Sequence, residues 1–208
     1  MLEIDISLSK QGDDLPALAI SLSKVHKHII ELYWDSPHDL DLHVVALCNG
    51  KLTSGEALLS TYNQGLVLSE NTAQKRRSGD KRPFQNLSGS LKHYGDSRTG
   101  LIISGKTPDE VVELDHDLFD PQWDELAFII SSHPPRSVKF KEVNGARLVI
   151  KDDEGEIQLA ANLTSEFDEY DVVQIGGLLL NPDTFSWDFN PTGRGINGTF
   201  TDLLASVR

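Results

Sequence analysis

Cysteine is nearly absent: Cys48 stands alone, so no internal disulfide can brace the fold. Long apolar runs are missing too, and no stretch approaches the roughly 20 residues that a membrane-spanning helix needs. The opening Met1-Leu2-Glu3-Ile4-Asp5 lacks the positive and apolar regions of a secretion signal, which makes the cytoplasm the expected location. Positive charge is scarce, with 19 Lys and Arg against 32 Asp and Glu and a formal net charge of -13. Neutralising a phosphate backbone requires clustered basic side chains, so bulk nucleic-acid binding is not expected. An acidic surface suits divalent cations or basic partners better. Helical periodicity is almost wholly lacking.

What recurs instead is alternation of apolar and polar residues, the period of a strand with one buried face. Leu2, Ile4, Ile6 and Leu8 alternate cleanly. Further strands are expected over 17–22, 28–34, 40–47, 58–62, 110–114, 126–131, 146–151, 156–162, 172–180 and 185–190. Turn signals separate them: Pro134-Pro135, Asn144-Gly145, Asp152-Asp153-Glu154-Gly155 and Asn181-Pro182-Asp183. Short strands at this spacing predict an all-β fold, a two-sheet antiparallel β-sandwich with a short C-terminal helix. That helix is expected over 200–207, capped by Thr199 or Thr201. The 208 residues read as a single domain. It is interrupted by a polar, basic loop over 64–93, because long polar loops inside compact domains are usually functional or disordered.

Two acidic stretches carry the chemistry. Asp39 and Asp41 stand two apart at the head of the apolar run Leu42, Val44, Val45, Leu47, a spacing that puts side chains on one face of a strand. Paired carboxylates repel unless a cation, a proton or a donor lies between them. Asp96 adds a third carboxylate in the turn Gly95-Asp96-Ser97-Arg98-Thr99-Gly100, where Thr99 offers a hydroxyl, and Asp109-Glu110 opens a strand. Hard oxygen ligands from a strand end and two loops suit Ca²⁺, which takes 6–8 oxygens in irregular geometry. The spacing is not that of an EF-hand.

Other motifs carry less. Asp152-Asp153-Glu154-Gly155-Glu156 is explained as a hairpin turn with Gly155 in the left-handed position. Gly193-Arg194-Gly195-Ile196-Asn197-Gly198 matches the dinucleotide GxGxxG pattern but has no βαβ context, so its glycines are read as turning a loop and seating the helix. His26 and His28 sit at strand spacing with no third zinc ligand in evident register. His116-Asp117 reads as an incidental pair, no Gly-x-Ser-x-Gly elbow exists for serine catalysis, and Cys48 reads as a small core residue.

These residues together resemble the TerD domain of tellurium-resistance and bacterial stress proteins. The likeness runs in order along the chain. It begins with Ile6-Ser7-Leu8-Ser9-Lys10-Gln11-Gly12, then Leu32-Tyr33-Trp34-Asp35 with Asp39-Leu40-Asp41, and Tyr62-Asn63. It continues through Gly95 to Gly100 with Asp109-Glu110, then Phe140 to Leu148, Gly176-Gly177 and Trp187-Asp188-Phe189. The resemblance implies a Ca²⁺-binding β-sandwich without enzymatic chemistry. It also implies a cytoplasmic role in tellurite or general stress resistance, alongside other stress or tellurium-resistance proteins and peripherally at the membrane surface. Carried over by position, the metal ligands are Asp39, Asp41, Asp96, Asp109 and Glu110, with Ser97 and Thr99 lending oxygens. The stretch 101–110 departs from the family's Gly-Asp-Gly-Asp-Asp-Glu-like run and lacks several carboxylates, so one Ca²⁺ site is expected where the family builds two.

Two other readings stand beside this one. An anion- or nucleotide-binding module would grip phosphate with Lys75, Arg76, Arg77, Lys81, Arg82 and Arg98. A metal-dependent phosphoesterase would use Asp39, Asp41 and Asp96 around a divalent ion.

Overall fold

In the computed structural model the described residues are 1–6, 19–62, 82–100, 107–133, 138–163 and 165–205. Among these residues fourteen strands build two sheets. In chain order they are β1 (Leu2–Ile6), β2 (Ile20–Ser21), β3 (Lys27–Asp35), β4 (Leu40–Cys48), β5 (Lys51–Leu52), β6 (Leu58–Leu59) and β7 (Phe84–Gln85). They continue with β8 (Leu91–His93), β9 (Glu110–Asp115), β10 (Glu125–Ser132), β11 (Asn144–Asp152), β12 (Ile157–Leu163), β13 (Val172–Asn181) and β14 (Ser186–Ile196). One helix, α1 (Phe200–Ala205), follows. The first sheet runs β1-β12-β11-β3-β9-β8-β7 and the second β2-β14-β13-β10-β4-β5, with β6 also on β4. Described pairs are antiparallel except β1 on β12, which is parallel. The sandwich predicted from alternation is therefore present, with one parallel edge.

Alternation fixes which side chains enter the core. Ile30, Leu32 and Trp34 of β3, Val112 and Leu114 of β9, and Leu148 and Ile150 of β11 bury against Leu42, Val44, Leu126, Phe128 and Phe189 of the opposing sheet. A second, smaller cluster lies on the other face of the second sheet. There Val45, Leu47, Ala127, Ile129 and Val172 meet Phe200, Leu203 and Leu204 of α1. The short helix is held by this packing and by a reciprocal cap. Asp202 Oδ2 accepts from the backbone N–H and hydroxyl of Thr199, while Thr199 Oγ1 accepts from Asp202 N–H.

Several local expectations change. Most of the expected loop over 64–93 lies outside the described residues, but its end pairs: Phe84–Gln85 and Leu91–His93 form a hairpin that extends the first sheet. Asn144-Gly145 makes an irregularity within β11, where pairing with β3 shifts register and Gly145 takes φ +63°, in place of the expected turn. Gly193 and Gly195 belong to β14, contrary to the loop expected there, and a Cβ on Gly195 would lie 2.6 Å from the Tyr170 ring. The strand expected over 58–62 ends at Leu59, and Thr61-Tyr62 turns away. Residues 8, 17, 18, 134, 135, 206 and 207 of the predicted elements lie outside the described residues. Gly155 is as expected, at φ +85° in the β11–β12 turn.

Close sheet packing yields the first prediction. A Cβ on Gly177 would sit 2.3 Å from the Leu126 carbonyl oxygen, a backbone atom with no room to yield. Gly177→Ala is expected to destabilise by about 3 kcal/mol in chemical denaturation. Gly50→Ala, at φ +72° in open space, is expected to cost only about 1 kcal/mol.

Candidate metal centre

Asp41 is the second residue of β4 and stands opposite Ser131 of β10. Its side chain falls on the face of the second sheet that α1 partly covers, next to His43. The carboxylate is fully buried and heavily bonded. Oδ1 accepts from the Thr61 hydroxyl at 2.6 Å, and Oδ2 accepts from the Tyr62 hydroxyl at 2.5 Å with His133 Nδ1 at 3.0 Å. His133 follows the end of β10, where its backbone N–H donates to the Asp39 carbonyl at 3.0 Å. No local sequence signal marks His133. Antiparallel register brings it across 92 residues to Asp41.

Glu110 is the first residue of β9 in the other sheet, and the alternation that buries Val112 and Leu114 turns it inward. At this rim it bridges the layers: Leu42 N–H of β4 donates to Oε2 at 2.7 Å, and Ser97 N–H donates to Oε1 at 3.4 Å. The buried His93 places Nε2 3.5 Å from Oε2, and its Nδ1 accepts from Gly95 N–H. Asp96 lies on the segment between β8 and β9, 4% exposed, beside Ser97. That segment is tied down where Gly100 N–H donates to the Ser36 carbonyl at 2.9 Å and Gly100 presses on Trp34, leaving no room for a Cβ.

Two groups of potential ligand atoms arise among the described residues. Oxygens of Asp41, Asp96 and Glu110 lie within 4.8 Å of one another, all on buried residues. Asp39, Asp41 and the imidazole of His133 form the second group under the same limit. The remaining predicted ligands are placed otherwise. Asp109 Oδ2 accepts from Trp34 N–H at 3.0 Å, pinning β9 to β3, and Asp109 joins neither group. Ser97 contributes its N–H to Glu110, and its hydroxyl donates to the Thr99 carbonyl. Thr99 is exposed. Of the basic set, Arg82 and Arg98 are exposed, while Lys75, Arg76, Arg77 and Lys81 lie outside the described residues.

The electrostatics separate two neighbouring carboxylates. Burial pushes Asp41 up, but the hydrogen bond to His133, the nearby His43 and the Thr61 and Tyr62 hydroxyls outweigh it and hold Asp41 below the ordinary value. Glu110 goes the other way. Burial and the charges of Asp41 and Asp96 raise it well above the ordinary value, against the opposing pull of the Leu42 and Ser97 N–H groups. His133 is raised by its bond to Asp41, with the Asp41, Asp39 and Asp96 charges adding to it and burial opposing. Three carboxylates thus share a space in which only part of their charge is compensated from within. Tyr62→Phe removes a short bond to a buried carboxylate and is expected to cost about 2 kcal/mol in equilibrium unfolding. An unchanged midpoint would show that this bond contributes nothing.

The geometry can be set beside known proteins. The TerD domain profile matches residues 5–206. No curated protein matches in sequence. Among solved structures, a protein of unknown function designated SAV2460 aligns with a TM-score of 0.62 at 14% identity, over 88% of this chain and 96% of that one. A homologue of telluride resistance protein (TerD), SCO6318 from Streptomyces coelicolor A3(2), aligns with a TM-score of 0.58 at 15% identity, over 86% and 95% respectively. At such identities the structural likeness bears on the fold, and the profile match carries the relationship. The chain belongs to the TerD domain family.

Proposed function

We propose that this chain is a non-enzymatic TerD-domain module that binds one Ca²⁺ at Asp41, Asp96 and Glu110 and serves as a binding or scaffolding protein in resistance to tellurite and chemical stress. The observation that supports this reading is the meeting of three carboxylates, 0%, 4% and 1% exposed, at the rim between the two sheets. Buried like charges are costly without compensation. The donor set is hard oxygen throughout, which fits Ca²⁺. The group with His133 fits it less well, since an imidazole suits transition metals better. In our reading His133 instead stabilises Asp41 by hydrogen bonding.

When bound, the ion supplies positive charge that offsets the mutual repulsion of the carboxylates. Asp41 and Glu110 then bind from opposite sheets and Asp96 from the intervening segment, fixing that rim as a defined surface for a partner. Among the described residues, a serine and a histidine also meet at this site. Ser131 Oγ and His43 Nε2 are 2.8 Å apart, but both residues are fully buried and beyond a substrate's reach. No described helix is long and apolar enough to cross a membrane. We assign the protein to the cytoplasm, with other tellurium- or stress-resistance proteins as partners and a peripheral place at the membrane surface.

Titration of metal-stripped protein with Ca²⁺, followed by tryptophan emission, tests this reading. Trp34 reports on the rim, because its backbone bonds Asp109 and its ring abuts Gly100. A saturable change is expected, and a flat response through several millimolar would refute the assignment.

A further inference from the structure

The end of the sandwich remote from the carboxylate rim presents three apolar side chains to solvent. In the first sheet β3 begins and β9 ends there, and in the second β4 ends and β14 begins. Phe185, on the β13–β14 hairpin, is 80% exposed. Leu87, on the β7–β8 hairpin, is 60% exposed, and Leu118, in the 3-10 turn His116–Leu118 after β9, is 47% exposed. The turns that carry them are neighbours. A Cβ on Gly89 would meet Leu118 Cδ1 at 3.9 Å, and the His116 ring lies 6.0 Å from that of Trp187, two residues beyond Phe185. Each turn is pinned by hydrogen bonds. Asn181 Oδ1 accepts from the Asp183 and Thr184 N–H groups, and Phe185 N–H donates to the Asn181 carbonyl at 2.8 Å. Leu87 N–H donates to the Glu56 carboxylate, and Asp115 caps the Leu118 turn by accepting from Asp117 N–H. Phe185 also takes φ +54°, a left-handed conformation that a Cβ makes costly. Gly or Asn would adopt it more easily, and a solvated ring recovers nothing by burial. Single exposed apolar residues are ordinary. Three offered by neighbouring pinned turns, one of them against its backbone preference, form an interaction surface.

We infer that this end docks a basic amphipathic helix of a partner protein. Charge sets the partner. Asp120, Asp153, Glu154, Glu156 and Asp183 are exposed on the turns of this end, against Lys24 and Lys51 as its exposed lysines among the described residues. Of these two, Lys24 is engaged with the Thr184 carbonyl. Such a negative field attracts lysine and arginine and repels an anionic bilayer. A helix with one apolar and one basic stripe answers both features. Its apolar stripe receives Leu87, Leu118 and Phe185, and its basic side chains reach the flanking carboxylates. The aromatic anchor carries most of the binding energy, while the acidic residues steer the encounter and make it sensitive to salt. Asp41 is at the other end of β4, so this docking does not depend on Ca²⁺.

A fluorescent peptide built only of leucine and lysine, with its leucines at helical spacing, tests the inference when full-length protein is titrated into it in EGTA and anisotropy is followed. Saturable binding is expected, with amide NMR shifts at Leu87, Leu118 and Phe185 of isotopically labelled protein. A scrambled peptide of the same composition, equal in charge but without an apolar stripe, should bind at least about tenfold more weakly. Phe185→Asn alters no charge and suits the left-handed turn, so it should melt no lower than wild type yet lose about tenfold in affinity. Leu118→Ser should weaken binding in the same direction. No saturable binding, equal affinity for the scrambled peptide, or undiminished binding by Phe185→Asn would overturn the proposal, the last two by reducing the effect to net charge. Phe185-dependent capture by phosphatidylglycerol vesicles, or self-association that Phe185→Asn abolishes, would overturn it as well, by making a bilayer or a second copy the occupant.

Discussion

Asp96→Asn is expected to leave the metal-free protein at least as stable as wild type while removing its stabilisation by Ca²⁺. Glu110 is driven up by burial and by the charges of Asp41 and Asp96, so deleting one of these charges relieves repulsion in the metal-free state. The same deletion takes away one of three buried carboxylate donors. For wild type, Ca²⁺ at 100 times its dissociation constant adds roughly 2.7 kcal/mol. In a chain of 208 residues that corresponds to a rise in melting temperature of roughly 5–10 °C. Melts with EGTA and with excess Ca²⁺ make the comparison. A variant that loses stability without metal yet keeps the full Ca²⁺ shift would place the ion elsewhere.

Acid sensitivity should be the other large effect. His28 and His43 are buried, and desolvation lowers each to about 4, although nearby carboxylates pull upward. His116, whose Nε2 lies 2.7 Å from His28 Nδ1, is lowered to about 3, chiefly by burial. The unfolded chain takes up protons below about 6.5 that the native state refuses. These groups therefore contribute stability that is complete above 6.5 and lost as pH falls toward 4. The contribution of His28 or His43 is on the order of 3 kcal/mol.

Glu110 opposes this trend, because its raised value contributes stability present below 4.5 and lost as pH rises through that value. His133, raised above 6.5, contributes stability that is lost as pH rises through its raised value, so it does not protect against acid loss relative to pH 6.5. With two buried imidazoles and His116 set against Glu110, the unfolding free energy should fall by several kcal/mol between pH 7 and 4.5. His28→Phe should flatten that slope. A denaturation midpoint independent of pH over this range would contradict the assignment of neutral buried histidines.

How much of this was legible in the sequence depended on whether a feature was local. Strands β3, β4, β10 and β13 are uninterrupted apolar or alternating runs of eight to ten residues, and their period survives any tertiary context. Strands β5, β7 and β8 have only two or three residues each, too few to show a period. The β4–β5 hairpin turns on Asn49-Gly50, both at positive φ, 52° and 72°, a turn that the strand alternation did not single out. The glycines at 193 and 195 look like loop chemistry in sequence but serve close packing in a strand, and only the Tyr170 ring against Gly195 reveals why.

The site divides in the same way. Asp41, Asp96 and Glu110 were visible as carboxylates at strand ends and in a Gly-bounded turn. Asp109 carries the same chemical signal but bonds the Trp34 backbone, a difference of orientation that residue type cannot express. His133 and the pairing of His28 with His116 depend on strand register over 92 and 88 residues.

Anomalous diffraction from crystals grown with Ca²⁺ tests the central assignment most directly. One peak bounded by the carboxylates of Asp41, Asp96 and Glu110 is the predicted result. Coordinates with those three side chains in their present contacts and no peak among them, at saturating Ca²⁺, would contradict it.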